Sequence, residues 1–237
     1  MSAVAIITAR GGSKRIPKKN IKDFCGKPIM AYSIEAALKS GLFDEVMVST
    51  DDDEIAEVAS HYGAKVPFMR SSATSNDFAT TMDVLKEVID EYEKSGQNFD
   101  IMCCLYPTAP LVTSEKLKIA YRNFLSKKPD VLQSVVKFSF PPQRAFVVRD
   151  GRLKFFYPEF ASMRSQDLEA WYYDAGQFYF WSVKSFKRIM MNTIGDEDRI
   201  CRIPFVLDEL DVQDIDNLSD WKIAEIKYGL LNKDKRD

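Results

Sequence analysis

Short apolar runs alternate with amphipathic stretches along most of this chain, and this alternation restricts the possible fold. A run that is apolar almost throughout, such as Phe99–Leu105, is typical of a strand buried on both faces of a parallel sheet. Intervening segments such as Met82–Tyr92 have apolar residues at helical spacing. The pattern predicts an α/β fold in three layers, with helices on both faces of a mostly parallel, Rossmann-like sheet. Strands are predicted at Val4–Thr8, Glu45–Thr50, Val66–Met69, Phe99–Leu105, Val131–Lys137, Gly176–Trp181 and Ile200–Val206.

Composition narrows the class further. The 237 residues are 46% hydrophobic and 29% charged, as expected for a soluble globular protein, and the net charge of −2 gives no support to nucleic-acid binding. The N-terminal apolar run is too short for a signal peptide, and nothing approaches a membrane span. Cys103 and Cys104 are adjacent in an apolar run, and with Cys25 and Cys201 they form neither a disulfide framework nor a zinc motif, so a cytoplasmic location is expected. The only histidine, His61, lies at a predicted helix end, which argues against Ser-His-Asp catalysis.

A basic segment, Thr8–Asn20, follows the first predicted strand. Two adjacent glycines, Gly11 and Gly12, allow backbone N–H groups to turn toward one anion, and a loop at this position in an α/β domain commonly holds phosphates. The segment lacks the second glycine of a Walker A loop. It is therefore predicted to bind a triphosphate, the alternative being a surface loop with solvated lysines. Its cationic residues are Arg10, Lys14, Arg15, Lys18 and Lys19.

Two other segments indicate a ligand site. The run Tyr106–Pro110 contains two prolines that end a central strand at the edge where open α/β sheets bind ligands. Near the C-terminus, Asp214 and Asp216 are two apart, so in an extended segment both carboxylates face one side while Ile215 faces the core. Such a pair suits Mg²⁺ that is also held by substrate phosphates; the alternative is that the acids only cap the last helix. By contrast, Asp51–Asp53 are predicted to start a helix rather than bind metal.

The regular alternation is interrupted between residues 138 and 173. This stretch has prolines, aromatic clusters and a turn signal at Asp150-Gly151. A hairpin exposing Phe155, Phe156 and Tyr157 would be unfavourable on a monomer. We therefore predict one domain, residues 1–237, with residues 138–173 inserted as an arm that forms a homodimer.

Several separated motifs together resemble one family. They are Ala-Arg-x-x-Ser-Lys-x-x-Pro-x-Lys-Asn from Ala9, Arg70 with Asp77 and Thr80-Thr81, the Pro107–Pro110 turn, and Asp214-Ile215-Asp216. With these motifs the chain resembles, over its whole length, the cytidylyltransferases of the CMP-sialic acid synthetase type, which activate nonulosonic acids, so the resemblance implies that residues 1–237 are a single nucleotidyltransferase domain. Three further runs, Phe140–Phe146, Arg164–Leu168 and Tyr173–Gly176, are most similar to the pseudaminic acid branch. Tyr106 and Val112 depart from the glutamine and arginine usual in the sialic acid enzymes.

The resemblance implies a fold of the nucleotide-diphospho-sugar transferase type and a reaction in which CTP gives a CMP-sugar and pyrophosphate. It implies roles for named residues, with Arg10, Lys19 and Asp214 as the catalytic group. The triphosphate would be held by Arg10, Gly11, Gly12, Ser13 and Lys19, the cytosine by Asn20, Arg70 and Thr81, Mg²⁺ by Asp214 and Asp216, and the sugar acid by Tyr106, Thr108, Arg144 and Arg164. An ion pair is an equal alternative for Arg144. Legionaminic, sialic or 3-deoxy-octulosonic acid remain alternative substrates, and a non-catalytic nucleotide-binding module is an alternative function.

Overall fold

A computed structural model of the chain describes residues 1–191 and 200–233. The strands are β1 (Ala3–Thr8), β2 (Asp23–Phe24), β3 (Lys27–Pro28), β4 (Glu45–Ser49), β5 (Ile101–Leu105), β6 (Val131–Lys137), β7 (Phe146–Arg149), β8 (Arg152–Phe155), β9 (Tyr172–Ser182) and β10 (Arg202–Leu207). The helices are α1 (Ile29–Ser40), α2 (Asp53–His61), α3 (Ser72–Ser75), α4 (Thr81–Lys94), α5 (Ser114–Lys127), α6 (Val183–Met191) and α7 (Leu218–Lys233).

The central sheet has the strand order β10-β6-β9-β5-β1-β4 within the described ranges. Neighbouring strands are parallel except at β9, which is antiparallel to both β5 and β6. Strand β1 lies between β5 and β4, and its residues Ala3–Ile7 are fully buried. The predicted α/β fold with a mostly parallel sheet is therefore confirmed.

Two apolar layers cover the sheet, and the alternation of side chains along β1 separates them. Ala3, Ala5 and Ile7 belong to a cluster that contains residues of α1, α2 and α5. Val4 and Ile6 face the opposite side and belong to a cluster with α4 and α6. Helices therefore lie on both faces, as the sequence predicted.

A third cluster, which we call the apolar joint, lies apart from the sheet. It consists of Ile16, Phe24, Ile29, Tyr32, Ile215, Trp221 and Ala224. These residues come from the basic segment, the β2–β3 hairpin, α1, the segment before α7 that carries Asp214 and Asp216, and α7 itself. Ile16 is 1% exposed and Ile215 is fully buried, and burial of such a side chain contributes about 1.5–3 kcal/mol to folding. The joint thus holds the N-terminal basic segment against the C-terminal acids.

Helix ends follow the signals in the sequence. Gly41, at φ 63°, ends α1, and the Asp52 side chain accepts a hydrogen bond from the Ile55 N–H at the start of α2. The Thr80 and Asp83 side chains form a reciprocal capping box at the start of α4. The prediction that acids near residue 52 start a helix is therefore confirmed. Among the described residues, no helix combines the length and the apolar character that a membrane crossing requires.

The predicted strand at Val66–Met69 is wrong. Only a single bridge from Lys65 to Met47 extends the sheet there. Pro67 cannot donate a ladder hydrogen bond. The apolar Phe68, which made the segment resemble a strand, packs instead against the cluster that contains α4. The strand predicted at Gly176–Trp181 exists, but it begins earlier, at Tyr172.

The segment 138–173 contains a hairpin, as predicted. Strands β7 and β8 pair around Asp150 and Gly151, which have φ angles of 54° and 71° and so fit a tight hairpin turn. The exposed apolar residues differ in part from the expected ones. Phe156 is exposed but Phe155 and Tyr157 are half-buried, and the most exposed apolar side chains are Val148 and Leu153, which are paired across the two strands.

Candidate active site

A cleft of about 610 Å³ opens where the chain leaves the carboxyl ends of β1 and β5. From β1 the chain crosses to β4 on one side and later to β5 on the other, so the cleft lies at the topological switch point of the sheet, where open α/β sheets bind ligands. Its walls come from the basic segment, from residues 70–84 and from the turn after β5. It is lined by Thr8, Arg10, Ser13, Lys14, Arg15, Lys19, Asn20, Arg70, Thr74, Asn76, Asp77, Ala79, Thr80, Thr81, Val84, Tyr106 and Pro107.

The basic segment is fixed at two points. Ile16 anchors its middle in the apolar joint, and the Gly11 N–H donates to Asp51 at 2.9 Å. A Cβ atom on Gly11 would lie 2.6 Å from Oδ2 of Asp52, whereas a Cβ on Gly12 would meet nothing within 4 Å. Gly11 therefore permits close contact with the start of α2.

The predicted cradle of glycine N–H groups is not formed in this structure. The Gly11 N–H is used by Asp51, the Ser13 N–H donates to the Gly11 carbonyl, and neither glycine lines the cleft. Neither glycine has a positive φ. Arg10, Ser13 and Lys19 do line the cleft, and their role in holding a triphosphate stays a prediction.

Asp77 is paired with two of the cations. It contacts Arg10 Nη1 at 3.0 Å and Lys14 Nζ at 2.5 Å. The hydrogen bond from Lys14, followed by that from Arg10, lowers the pKa of Asp77 below its ordinary value. An anionic ligand entering the cleft therefore competes with Asp77 for these side chains. The sequence indicated Asp77 only as part of a motif, because ion pairing between residues more than 60 positions apart has no local signal.

The three residues predicted to contact the base lie in the cleft. Arg70 is 8% exposed; its Nη2 donates to the Ser49 carbonyl at 2.5 Å and its Nε to Ser49 Oγ at 3.0 Å. Burial lowers the pKa of Arg70, but an arginine remains charged at neutral pH. Asn20 Nδ2 donates to the Arg10 carbonyl at 2.9 Å, which leaves the amide oxygen as an acceptor. Thr81 Oγ1 lies 3.2 Å from the Tyr106 hydroxyl.

The acidic pair lies beside the basic segment. Lys19 Nζ donates to the Ile215 carbonyl at 2.7 Å, and Arg15 pairs with Asp216 at 2.8 Å. Burial raises the pKa of Asp214, and the neighbouring charge of Asp216 adds to this rise. Burial also lowers the pKa of Lys19, opposed by both aspartates. The chain thus places two carboxylates next to cations that would face a phosphate.

The alternative role of these acids, capping the last helix, is not what the structure has. Asn217 Oδ1 accepts from the N–H groups of Ser219 and Asp220, and Asp220 Oδ2 accepts in return from Asn217 and Asp216. Neither the Asp214 nor the Asp216 carboxylate therefore takes part in the cap, and that of Asp216 pairs with Arg15 instead. In the part of the chain that the structure describes, no three His, Cys, Asp or Glu side chains cluster as a metal site. Two carboxylates alone fit Mg²⁺, which takes its other ligands from phosphates and water.

The predicted sugar-binding residues are only partly assembled. Tyr106 lines the cleft, but among the described residues Thr108, Arg144 and Arg164 do not. Arg164 is exposed and pairs with Asp167 at 2.7 Å. Arg144 has a buried Nε without a hydrogen-bond partner in the described ranges. Both arginines belong to the 138–173 segment, which contributes no residue to the lining of the cleft.

The comparisons agree with this geometry. A profile described as cytidylyltransferase matches residues 4–152. The chain is 44% identical over 232 residues to pseudaminic acid cytidylyltransferase from Campylobacter jejuni, covering 96% of this chain and 97% of the relative. It is 42% identical over 123 residues to CMP-N,N'-diacetyllegionaminic acid synthase from Legionella pneumophila, covering 51% and 52%. A solved structure of CMP:2-keto-3-deoxy-manno-octonic acid synthetase complexed with CTP has the same fold, with a TM-score of 0.72, 20% identity and coverage of 97% and 99%.

The cleft at the switch point and its basic segment define an α/β nucleotide-binding protein. The profile match and the similarity along nearly the whole chain then establish the family: the chain belongs to the cytidylyltransferases.

Replacing Gly11 by alanine tests the contact between the basic segment and α2. We expect Gly11→Ala to lower the free energy of unfolding by about 1–3 kcal/mol, because the added Cβ overlaps the Asp52 side chain that caps α2. Gly12→Ala, the matched control, should change it by less than about 0.5 kcal/mol because its Cβ enters open space. Urea unfolding of both variants measures the difference. Equal stability of the two would contradict the structural role of Gly11.

Proposed function

We propose that this cytidylyltransferase transfers CMP from CTP to the anomeric hydroxyl of a nonulosonic acid, and that pseudaminic acid is the acceptor. The observation that carries the proposal is the meeting of the basic segment and the buried Arg70 around one cleft, with the Asp214–Asp216 pair next to two of its cations, Arg15 and Lys19. The identity of 44% to a pseudaminic acid cytidylyltransferase supports the choice of acceptor.

The triphosphate occupies the cationic end of the cleft. Arg10, Ser13 and Lys19 hold it, and Arg10 and Lys14 exchange the Asp77 carboxylate for phosphate oxygens. An arginine can bind two phosphate oxygens at once, whereas a lysine acts as a point charge. Gly11 and Gly12 belong to the same loop, but the Gly11 N–H reaches phosphate only after its hydrogen bond to Asp51 opens.

The base occupies the end of the cleft formed by Asn20, Arg70 and Thr81. Cytosine has acceptors at O2 and N3 and a donor at N4. The Arg70 guanidinium, held at one edge by Ser49, donates to the acceptors, while the amide oxygen of Asn20 or the hydroxyl of Thr81 accepts from N4. This pattern favours cytosine over uracil, which has an acceptor at position 4.

In the reaction the anomeric oxygen of the acceptor bonds to the α-phosphorus, and the bond from that phosphorus to the bridging oxygen of the β-phosphate breaks. Pyrophosphate leaves with the bonding electrons, and the hydroxyl proton is lost to solvent. Arg10 and Lys19 stabilise charge on the phosphates, and such positioning and neutralisation account for most of the catalysis in this class of reaction. Asp214 and Asp216 would hold Mg²⁺, which when bound supplies further positive charge at the phosphates.

The activity test compares acceptors. Purified protein with CTP and Mg²⁺ should release one pyrophosphate for each CMP-sugar formed, fastest with pseudaminic acid among pseudaminic, legionaminic, N-acetylneuraminic and 3-deoxy-octulosonic acids. Coupled pyrophosphate detection and mass spectrometry of the product measure this. Turnover with none of these acids would contradict the reaction, whereas a preference for another acid would contradict only the choice of acceptor.

Asp214 is the residue on which the metal assignment can be tested. Asp214→Ala should reduce Mg²⁺-dependent pyrophosphate release by at least about 100-fold, because it removes one of two carboxylates that hold the cation. Circular dichroism should show the fold unchanged, since the Asp214 carboxylate does not cap α7. The control is Glu209→Gln, an exposed acid of the same segment. An Asp214→Ala enzyme with wild-type turnover would exclude the metal assignment.

We further propose that residues 138–173 form a dimerisation arm and that the arm of a second copy brings Arg144 and Arg164 to the sugar acid. Support comes from the exposed hairpin face of Val148 and Leu153, 72% and 69% exposed, and from the absence of both arginines from the cleft lining in the described chain. Two guanidinium groups suit the carboxylate of the acceptor.

Charging the hairpin face tests this proposal. The wild type should have twice the 27.1 kDa mass of the chain in light scattering, and the double variant Val148→Lys/Leu153→Lys should be monomeric. The monomer should keep its CTP affinity but show at least about a 10-fold higher KM for the sugar acid, since a lost charged contact costs about 1.5–3 kcal/mol. Arg149→Lys, which preserves the charge of the hairpin, is the control. A monomeric wild type would contradict the proposal.

A further inference from the structure

The first half of β9 extends beyond the end of β5, next to the cleft. The last pair between these antiparallel strands is Leu105 with Phe178, so residues 172–177 lie past the carboxyl end of β5. The Tyr106 N–H donates to the Gln177 carbonyl at 2.9 Å. This half of β9 therefore supports the turn that carries Tyr106 into the cleft.

The strand is irregular at this point. Gly176 has φ 59°, in the left-handed region, and the register of β6 against β9 shifts between Gln133 and Val135. The Gln177 Nε2 bonds back to the Ala175 carbonyl at 3.0 Å. Bulges and left-handed glycines in strands redirect neighbouring side chains and are frequent beside active sites. Here the Asp174 side chain, next to the irregularity, reaches along its own strand to the Tyr179 hydroxyl.

Asp174 accepts hydrogen bonds from a tyrosine and from the backbone. The Tyr179 hydroxyl lies 2.8 Å and 2.9 Å from the two carboxylate oxygens, and the Gly176 N–H donates to Oδ1 at 2.9 Å. An ionised carboxylate can only accept. The hydroxyl hydrogen of Tyr179 is therefore committed to Asp174, and the Tyr179 oxygen offers only lone pairs to its other neighbours.

The neighbour on the cleft side is Tyr106. The ring centroids of Tyr106 and Tyr179 lie 5.7 Å apart, and the Tyr106 hydroxyl in turn lies 3.2 Å from Thr81 Oγ1. Burial raises the pKa of both tyrosines, so both are protonated at neutral pH. Asp174, Tyr179, Tyr106 and Thr81 thus form a row, and its last two members line the cleft.

We propose that Asp174 is a positioning residue: by holding the Tyr179 hydroxyl it fixes the Tyr179 ring against the Tyr106 ring, so that Tyr106 and Thr81 present their hydroxyl oxygens at fixed positions to an N–H or O–H donor of the substrate. This inference rests on the proposed function for the identity of the donor. The donor is either the amino group of cytosine or an amide or hydroxyl group of the sugar acid.

Two variants interrupt the row at different points. Asp174→Asn keeps the shape but replaces the charged acceptor of the Tyr179 hydroxyl by a neutral amide, and Tyr179→Phe removes that hydroxyl. The controls are Asp90→Asn, on the exposed side of α4, and Tyr121→Phe, a half-buried tyrosine outside the cleft. The measurements are the dissociation constants of CTP and UTP by calorimetry, the KM of the sugar acid with kcat, and the thermal midpoint.

If cytosine supplies the donor, both variants should weaken CTP binding at least about 10-fold and leave UTP binding within about 2-fold, which erodes the preference for CTP. If the sugar acid supplies it, the KM for the acid should rise by a similar factor with kcat within about 3-fold. The double variant Asp174→Asn/Tyr179→Phe should lose no more CTP or acid affinity than Tyr179→Phe alone, because both changes break the same row.

Unchanged affinities for CTP and acid would overturn the proposal, as would a fall in kcat and thermal midpoint with both affinities retained, which is the result of a purely structural role. A wild type that binds CTP but releases no pyrophosphate with any acid would contradict the proposed reaction, and the CTP and UTP measurements would then decide this inference alone.

Discussion

The apolar joint is the contact on which the cleft depends, because it unites segments from opposite ends of the chain. Lys19 and Ile215 are 196 positions apart, yet Lys19 Nζ donates to the Ile215 carbonyl. Ile16 and Ile215 are both buried in the joint, so the cations after β1 and the acids before α7 have fixed relative positions. Without this burial, nothing local would keep a flexible basic loop next to two carboxylates.

The cationic side chains of the cleft share one arrangement. Each is held by a carboxylate or a carbonyl group that a phosphate can replace or complement. Asp77 holds Arg10 and Lys14, and Arg15 pairs with Asp216. Exposed ion pairs of this kind contribute little to folding stability. The protein therefore loses little stability when these cations leave their carboxylates to contact a multiply charged ligand. Arg70 differs, because it is buried and anchored on Ser49, and it is therefore suited to a fixed contact such as a base edge.

Local sequence patterns predicted the elements well where periodicity and caps agreed, as for β1, β5, α4 and the turn at Asp150-Gly151. They failed at Val66–Met69, which forms a loop although it is rich in apolar residues. Pro67 has no N–H group to donate to a neighbouring strand. Likewise, the pattern of aromatic residues in β9 indicated a strand but could not give its antiparallel direction, which depends on the path of the preceding arm.

For the site, residue type and position after a strand were sufficient to find Arg10, Lys19 and Tyr106, and family motifs found Arg70 and Thr81. Contacts across long sequence separations could not be found in this way: the Asp51 bond to Gly11, the pairing of Asp77 with Arg10, and the row from Asp174 to Thr81. Gly11 shows why. Its sequence context suggested an anion cradle, whereas its neighbour in space, Asp52, explains the need for glycine.

We propose that CTP binds between the basic segment and Arg70 and displaces Asp77 from Arg10. A crystal structure of the protein with CTP and Mg²⁺ is the most direct test. We expect phosphate oxygens on Arg10 and Lys19, the cytosine edge on Arg70, Mg²⁺ between Asp214, Asp216 and the phosphates, and Asp77 no longer paired with Arg10. A nucleotide bound elsewhere, or bound in this cleft with the Asp77–Arg10 pair intact and the carboxylate pair without a metal ion, would contradict it.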